Sequence, residues 1–174
     1  LGDVYKRQMK MTGRSKEQAE SDYESNIDAM MTEMDQFNLS DELSNSYRQL
    51  FKDVYAKAKY TVKDAEKMDD KDGYYVTVEI EQMTGLFNGI QEELMTEFTE
   101  WANSFDADTY PTEDEMYEQM YQMMYDLMSA RLDSITYNDP QEVVVEVIGE
   151  DNVYSISDGS MTELDEALLD VATE

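Results

Sequence analysis

The strongest constraint on this chain is a hydrophobic period that changes along its length. Leu43, Tyr47, Leu50, Phe51, Val54 and Tyr55 recur every three or four residues, the spacing of one helix face. Tyr60 and Val62 then fall on one side of an alternating run over 59–66, and Val76, Val78 and Ile80 on one side of another over 74–80. That two-residue period belongs to strands. Asp69-Asp70-Lys71-Asp72-Gly73 lies between the runs and reads as a turn, so residues of about 59–83 are expected to form a β-hairpin. The pairing would set Lys59, Thr61 and Lys63 across from Thr77, Glu79 and Glu81.

The remaining periods fill in the order. A helix is expected over 15–34, with Ile27, Met30, Met31 and Met34 as its stripe, and a second from Ser40 or Asp41 to about Lys57. Thr84 is expected to cap a helix carrying Phe87, Ile90, Leu94, Phe98, Trp101 and Phe105 on one face. Thr112 followed by Glu115 is a capping box. The helix it opens carries Met116, Met120, Met123, Met124, Leu127, Met128, Leu132 and Ile135, with Tyr117, Tyr121 and Tyr125 beside them, and Asn138-Asp139-Pro140 ends it. Strands are expected at about 142–148 and 152–158, and Ser160 is expected to cap a last helix with Leu164, Ala167, Leu168 and Val171. Hairpin-connected strands with helices grouped between them predict an α+β fold: an antiparallel sheet packed against long amphipathic helices.

Charge restricts function more than fold. Lys and Arg number 13 and Asp and Glu 41, a net charge of −28, which argues against nucleic-acid backbones and anionic membrane surfaces. The imbalance is uneven, since residues 72–174 hold one basic residue, Arg131, and 26 acidic ones. Disorder is the competing reading of such a charge. The periodic apolar positions, with only 2 Pro and 7 Gly, argue for a folded chain instead. The sequence has no Cys and no His, which removes thiolate chemistry, a Ser-His-Asp triad and the commonest metal ligand. No apolar run reaches the ~18 residues of a membrane span.

Three groups of residues remain as sites. Asp70, Asp72, Gly73 and Glu79 match positions of an EF-hand loop, but Met68 stands where the first oxygen ligand is needed and the flanks read as strands. An ordinary turn, with Gly73 in a left-handed conformation, is the better account. Met120, Met123, Met124 and Met128 could offer thioethers to Cu(I), yet they lie at core spacing, and Met fills irregular apolar space. Tyr with Asp or Glu could do acid–base chemistry, but with 13 Tyr and 41 acids some such pairing arises by number alone. The Met- and Tyr-bearing helix is the place for a ligand pocket, with Tyr117, Tyr121, Met124, Tyr125 and Met128, together with Trp101.

Lys59-Tyr60-Thr61-Val62, Tyr75-Val76-Thr77-Val78-Glu79-Ile80, Val143-Val144-Val145-Glu146-Val147 and Tyr154-Ser155-Ile156-Ser157-Asp158 resemble a family of uncharacterised domains. These occur in lipoproteins and secreted proteins of Gram-positive, often gut, bacteria. Met11-Thr12-Gly13, with Glu17 and Tyr23, resembles the segment after that family's first helix. The resemblance covers roughly residues 9–170 and implies a cystatin-like, nuclear-transport-factor-two-like fold with a curved sheet. It also implies export and lipid anchoring; it defines no functional residue and no cofactor. Residues 1–8 (LGDVYKRQ) resemble translated sequencing-adapter read-through, so native sequence is expected from Met9, as a single α+β domain over 9–174. The family's first helix and any leader or lipid-bearing Cys would lie upstream. The functional expectation is an extracytoplasmic, non-enzymatic binding or interaction domain. The alternative is a small-molecule carrier or small enzyme of the same fold, using Tyr and carboxylate groups in an apolar pocket.

Overall fold

The computed structural model describes residues 15–106, 108–150 and 153–171. Its helices are α1 (Lys16–Met34), α2 (Asp41–Ala56), α3 (Ile90–Ala102), α4 (Glu113–Arg131) and α5 (Asp158–Leu168). Its strands are β1 (Lys59–Lys67), β2 (Gly73–Glu81), β3 (Met83–Thr84), β4 (Thr136–Tyr137), β5 (Gln141–Glu150) and β6 (Val153–Ile156). The expectations for residues 1–8, for Met11-Thr12-Gly13 and for a turn through Asp151 and Asn152 lie outside the described residues. The chain divides into two compact units. One contains 56–84 and 136–171, with the start of α1 up to Tyr23; the other contains Glu24–Tyr55 and Gly85–Ile135.

The first unit is built on a four-stranded antiparallel sheet in the order β1-β2-β5-β6. β5 therefore sits between two neighbours, and its β-branched run suits the pleated surface of a strand. Val76 lies opposite Val145, Val78 opposite Val143 and Tyr74 opposite Val147. The pleat puts Val76, Val78, Ile80, Val145 and Val147 on one face, where Leu164 and Ala167 of α5 cover them. Full burial of each such side chain contributes about 1.5–3 kcal/mol. The other face is wet and paired by charge. Lys59 lies opposite Glu81 and Thr61 opposite Glu79, as the hairpin pattern predicts. A register shift follows between Val62 and Ala65, and Lys63 reaches Glu79 at 2.9 Å.

Several local expectations give way to non-local contacts. Gly73 opens β2 and has no positive φ; among the described residues the positive-φ glycines are Gly85 and Gly89. Its small size is needed for close approach, since a Cβ there would sit 2.6 Å from the Val147 carbonyl and 3.0 Å from the Met68 sulfur. Thr84 does not cap a helix. It belongs to β3, which pairs with β4 at Thr136, and the two hydroxyls share a 2.8 Å hydrogen bond. The helix begins later, after Gly89 at φ 65°. Strands of two residues have no period to read, so neither β3 nor β4 is visible in the sequence. Around them, the Tyr137 hydroxyl donates to the Lys57 carbonyl at 2.9 Å, and the Lys59 ammonium stands 3.5 Å from the centre of the Tyr137 ring.

Two ends also differ. α4 stops at Arg131 and a 3-10 turn takes Leu132–Ser134, so Ile135 is not helical. At the C-terminal helix the cap is Ser157, whose Oγ accepts from the Ser160 amide. Ser160 is buried, and its own Oγ accepts a 2.9 Å bond from the Glu146 amide of β5. β6 thus ends at Ile156, earlier than expected, because Ser157 is already turning the chain into α5. Val171 lies beyond that helix and is exposed.

The second unit is helical. Ile27, Leu43, Leu50, Val54, Leu86, Ile90, Leu94 and Met128 are buried, so the stripe expected on α2 is the face that packs. α1 and α2 are tied by Arg48, which reaches Glu24 at 2.8 Å and Asp28 at 2.5 Å, and by Lys52 to Glu24 at 2.7 Å. Ser40 serves as the α2 cap, accepting from the Leu43 amide at 3.2 Å. Its hydroxyl and amide in turn donate to the Glu118 carboxylate of α4 at 2.5 and 2.8 Å. The capping box of α4 forms as the sequence predicts, with the Thr112 amide donating to Glu115 at 2.8 Å.

Candidate functional site

The Met- and Tyr-bearing helix α4 carries most of the residues expected to line a pocket. Tyr117, Tyr121, Met124 and Tyr125 are half-buried and Met128 is buried. The core reading of the methionines therefore holds for Met128, whereas Met120, Met123 and Met124 keep partial exposure. A helix with a half-buried surface on successive residues from Met116 to Tyr125 has no clean polar face.

The tyrosines are organised by residues outside α4. Tyr47 of α2 is 3% exposed, and its ring centre lies 6.1 Å from that of Tyr121 and 5.7 Å from that of Tyr125, both edge-on. Its hydroxyl donates to the backbone carbonyl of Tyr121 at 2.7 Å. Burial pushes the Tyr47 phenol well above its ordinary value, and Tyr121 and Asp126 add to the effect. Tyr121 is raised too, first by burial and then by Tyr117. Tyr47 is thus a neutral donor satisfied by backbone. Phe37 completes the cluster, 4.7 Å from Tyr121 and 5.5 Å from Tyr117. Sequence reasoning missed Phe37 because it lies in the 3-10 turn Asp35–Phe37, off any helical stripe, just before Asn38 at φ 51°.

Trp101 sits in a different aromatic group. Its ring centre is 5.4 Å from Phe98, tilted by 33°, and 5.0 Å from Phe105, edge-on at 75°. The stripe that carries it begins buried at Ile90 and Leu94 and becomes half-buried at Phe98 and Trp101; α3 ends at Ala102, so Phe105, expected on the same helix face, lies beyond the helix and is half-buried too. Arg131 of α4 is committed at the other end of α3, to Glu93 at 2.8 Å and to the Leu86 carbonyl at 3.4 Å.

Of the three acids considered for a metal, Asp72 and Glu79 have partners of their own. Asp70 is exposed in the hairpin turn. The Asp72 carboxylate accepts from the Tyr154 hydroxyl at 3.3 Å, and the Asp72 charge in turn raises the Tyr154 phenol. Glu79 pairs with Lys63 on the sheet. Among the described residues no three acidic side chains converge to hold a metal, and no helix is long and apolar enough to cross a membrane.

These features define an α+β protein with an open four-stranded antiparallel sheet and a separate helical unit rich in half-buried aromatic and methionine side chains. No family model matches the chain, and no curated protein matches it. It is similar to the crystal structure of a candidate lipoprotein, YcdA, from Bacillus subtilis subsp. subtilis str. 168, with a TM-score of 0.55 at 15% identity over 93% of this chain. At that identity the likeness is one of fold. The chain spans about half that structure, 49% of its length.

Proposed function

We propose that this chain is an extracytoplasmic binding or interaction domain of a bacterial lipoprotein or secreted protein, without catalytic activity of its own. The observation that carries the reading is the fold likeness to a candidate lipoprotein over 93% of the chain. The resemblance of the hairpin and of the Tyr154–Asp158 end to Gram-positive lipoprotein domains of cystatin-like fold points the same way. Binding falls in the helical unit, where Tyr117, Tyr121, Met124, Tyr125 and Trp101 leave aromatic and thioether surface half in water. The test is expression of the complete reading frame in a Gram-positive host, followed by fractionation and protease treatment of intact cells. Recovery with the envelope or medium, and loss of cell-bound protein to protease, is expected. Retention in the cytosol, protected until lysis, would refute the reading.

A further inference from the structure

We infer that the half-exposed aromatic face at the end of α3, formed by Phe98, Trp101 and Phe105, docks a cationic peptide segment, one bearing Lys or Arg side chains. The inference deepens the binding role proposed above and rests on it, but not on the location of the protein. Its first support is the course of the stripe. Ile90 and Leu94 are buried, the same helix face continues into Phe98 and Trp101, and Phe105 follows just past the end of α3; all three rings are partly exposed. The Trp101 and Phe105 rings meet edge-on at 5.0 Å, so they form two walls of a corner. Such a corner presents ring faces to a cation.

The second support is charge complementarity. Residues 24–55 and 85–135 hold three basic side chains and nineteen acidic ones. All three basic groups are already paired, Arg48 and Lys52 with Glu24 and Asp28, and Arg131 with Glu93. Glu97 and Glu100 flank the rings in sequence and are exposed, as is Asp106. Elsewhere the protein places a lysine over an aromatic ring, Lys59 on Tyr137 at 3.5 Å. The aromatic face of α3 has the rings and the anions, while its unit has no uncommitted cation to supply. A partner that brings Lys or Arg completes both at once, through cation–π contact and carboxylate pairing.

Trp101 is the chain's one tryptophan, so its emission reports on this face directly. The experiment titrates the chain with a short oligolysine peptide at physiological salt, where screening beyond ~8 Å suppresses diffuse attraction. A saturable change in Trp101 emission is expected. Phe98→Leu and Phe105→Leu keep apolar volume but remove a ring face, and each should weaken binding about threefold with unchanged circular dichroism. The Glu97→Gln, Glu100→Gln pair should weaken it more than the Glu163→Gln, Glu166→Gln pair on α5, which changes net charge equally. The inference is overturned if the Leu variants bind like the parent, or if the two Gln pairs weaken binding equally. It is also overturned if Trp101 responds to tetramethylammonium but not to oligolysine. None of these results depends on where the protein resides, which the fractionation test decides separately.

Discussion

The hydroxyl of Tyr47 donates a 2.7 Å hydrogen bond to the backbone carbonyl of Tyr121, joining α2 to α4 beneath the aromatic cluster. Tyr47→Phe keeps the ring contacts and removes that bond, which should lower stability by about 1 kcal/mol at neutral pH. The phenol is raised in the folded state by burial. A raised folded value favours the neutral form, so the stability is complete below the unfolded value near ~10 and is lost as pH rises above it. Urea unfolding of both proteins at neutral and alkaline pH should show the parent's advantage shrinking and then reversing above about pH 10. A constant difference would mean that Tyr47 ionises freely in the fold.

Ser157 and Ser160 are three residues apart and do different work. Ser157→Ala removes a helix cap and should cost about 1 kcal/mol. Ser160→Ala strips the Glu146 amide of its Oγ acceptor in a buried setting, which should cost about 1–3 kcal/mol. Thermal denaturation should therefore rank Ser160→Ala below Ser157→Ala, and Ser160→Thr, which keeps the hydroxyl, should recover more than Ser160→Val.

Gly73→Ala should be poorly tolerated, because the atom its Cβ meets first is backbone, the Val147 carbonyl at 2.6 Å. Overpacking of this kind costs about 1–3 kcal/mol, and it should be accompanied by faster amide exchange in β2 and β5. Gly159→Ala is the contrasting case. It lies in the first turn of α5 with nothing within 4 Å of the added Cβ, so it should raise stability, by at most about 0.5 kcal/mol that near the helix end. The reverse order in chemical denaturation would contradict the close approach described for Gly73.

The Glu24 carboxyl is held below its ordinary range, first by its hydrogen bond to Lys52 and then by that to Arg48. A lowered folded value means stability that is present above the unfolded value and lost as pH falls through the folded one. The group is well exposed, so Glu24→Gln should cost less than about 1 kcal/mol near neutral pH. The difference in melting temperature should vanish at molar salt and shrink steadily as pH falls below the ordinary carboxylate range.

Pattern and tertiary contact contributed differently to the candidate site. Tyr117, Tyr121 and Tyr125 lie on one helix stripe, and that much is legible as residues i, i+4 and i+8. Phe37 and Tyr47, which bring the stripe into a cluster, come from a 3-10 turn and another helix. Trp101, expected to line the pocket with the tyrosines, meets instead Phe98 on its own helix and Phe105 just beyond it.

By itself the sequence determined the elements whose side chains repeat. The α2 stripe from Leu43 to Val54, the hairpin alternation, the Thr112–Glu115 capping box and the Lys59–Glu81 pairing are all local or set by a two-residue period. Only the tertiary structure decided that β5 lies between β2 and β6, that Thr84 pairs with Thr136 rather than capping a helix, and that Ser160 bonds the Glu146 amide. These contacts join residues distant along the chain, and each satisfies a backbone or side-chain polar group that no local pattern marks. Periodicity reports which face of an element is apolar, and burial alone chooses what that face meets.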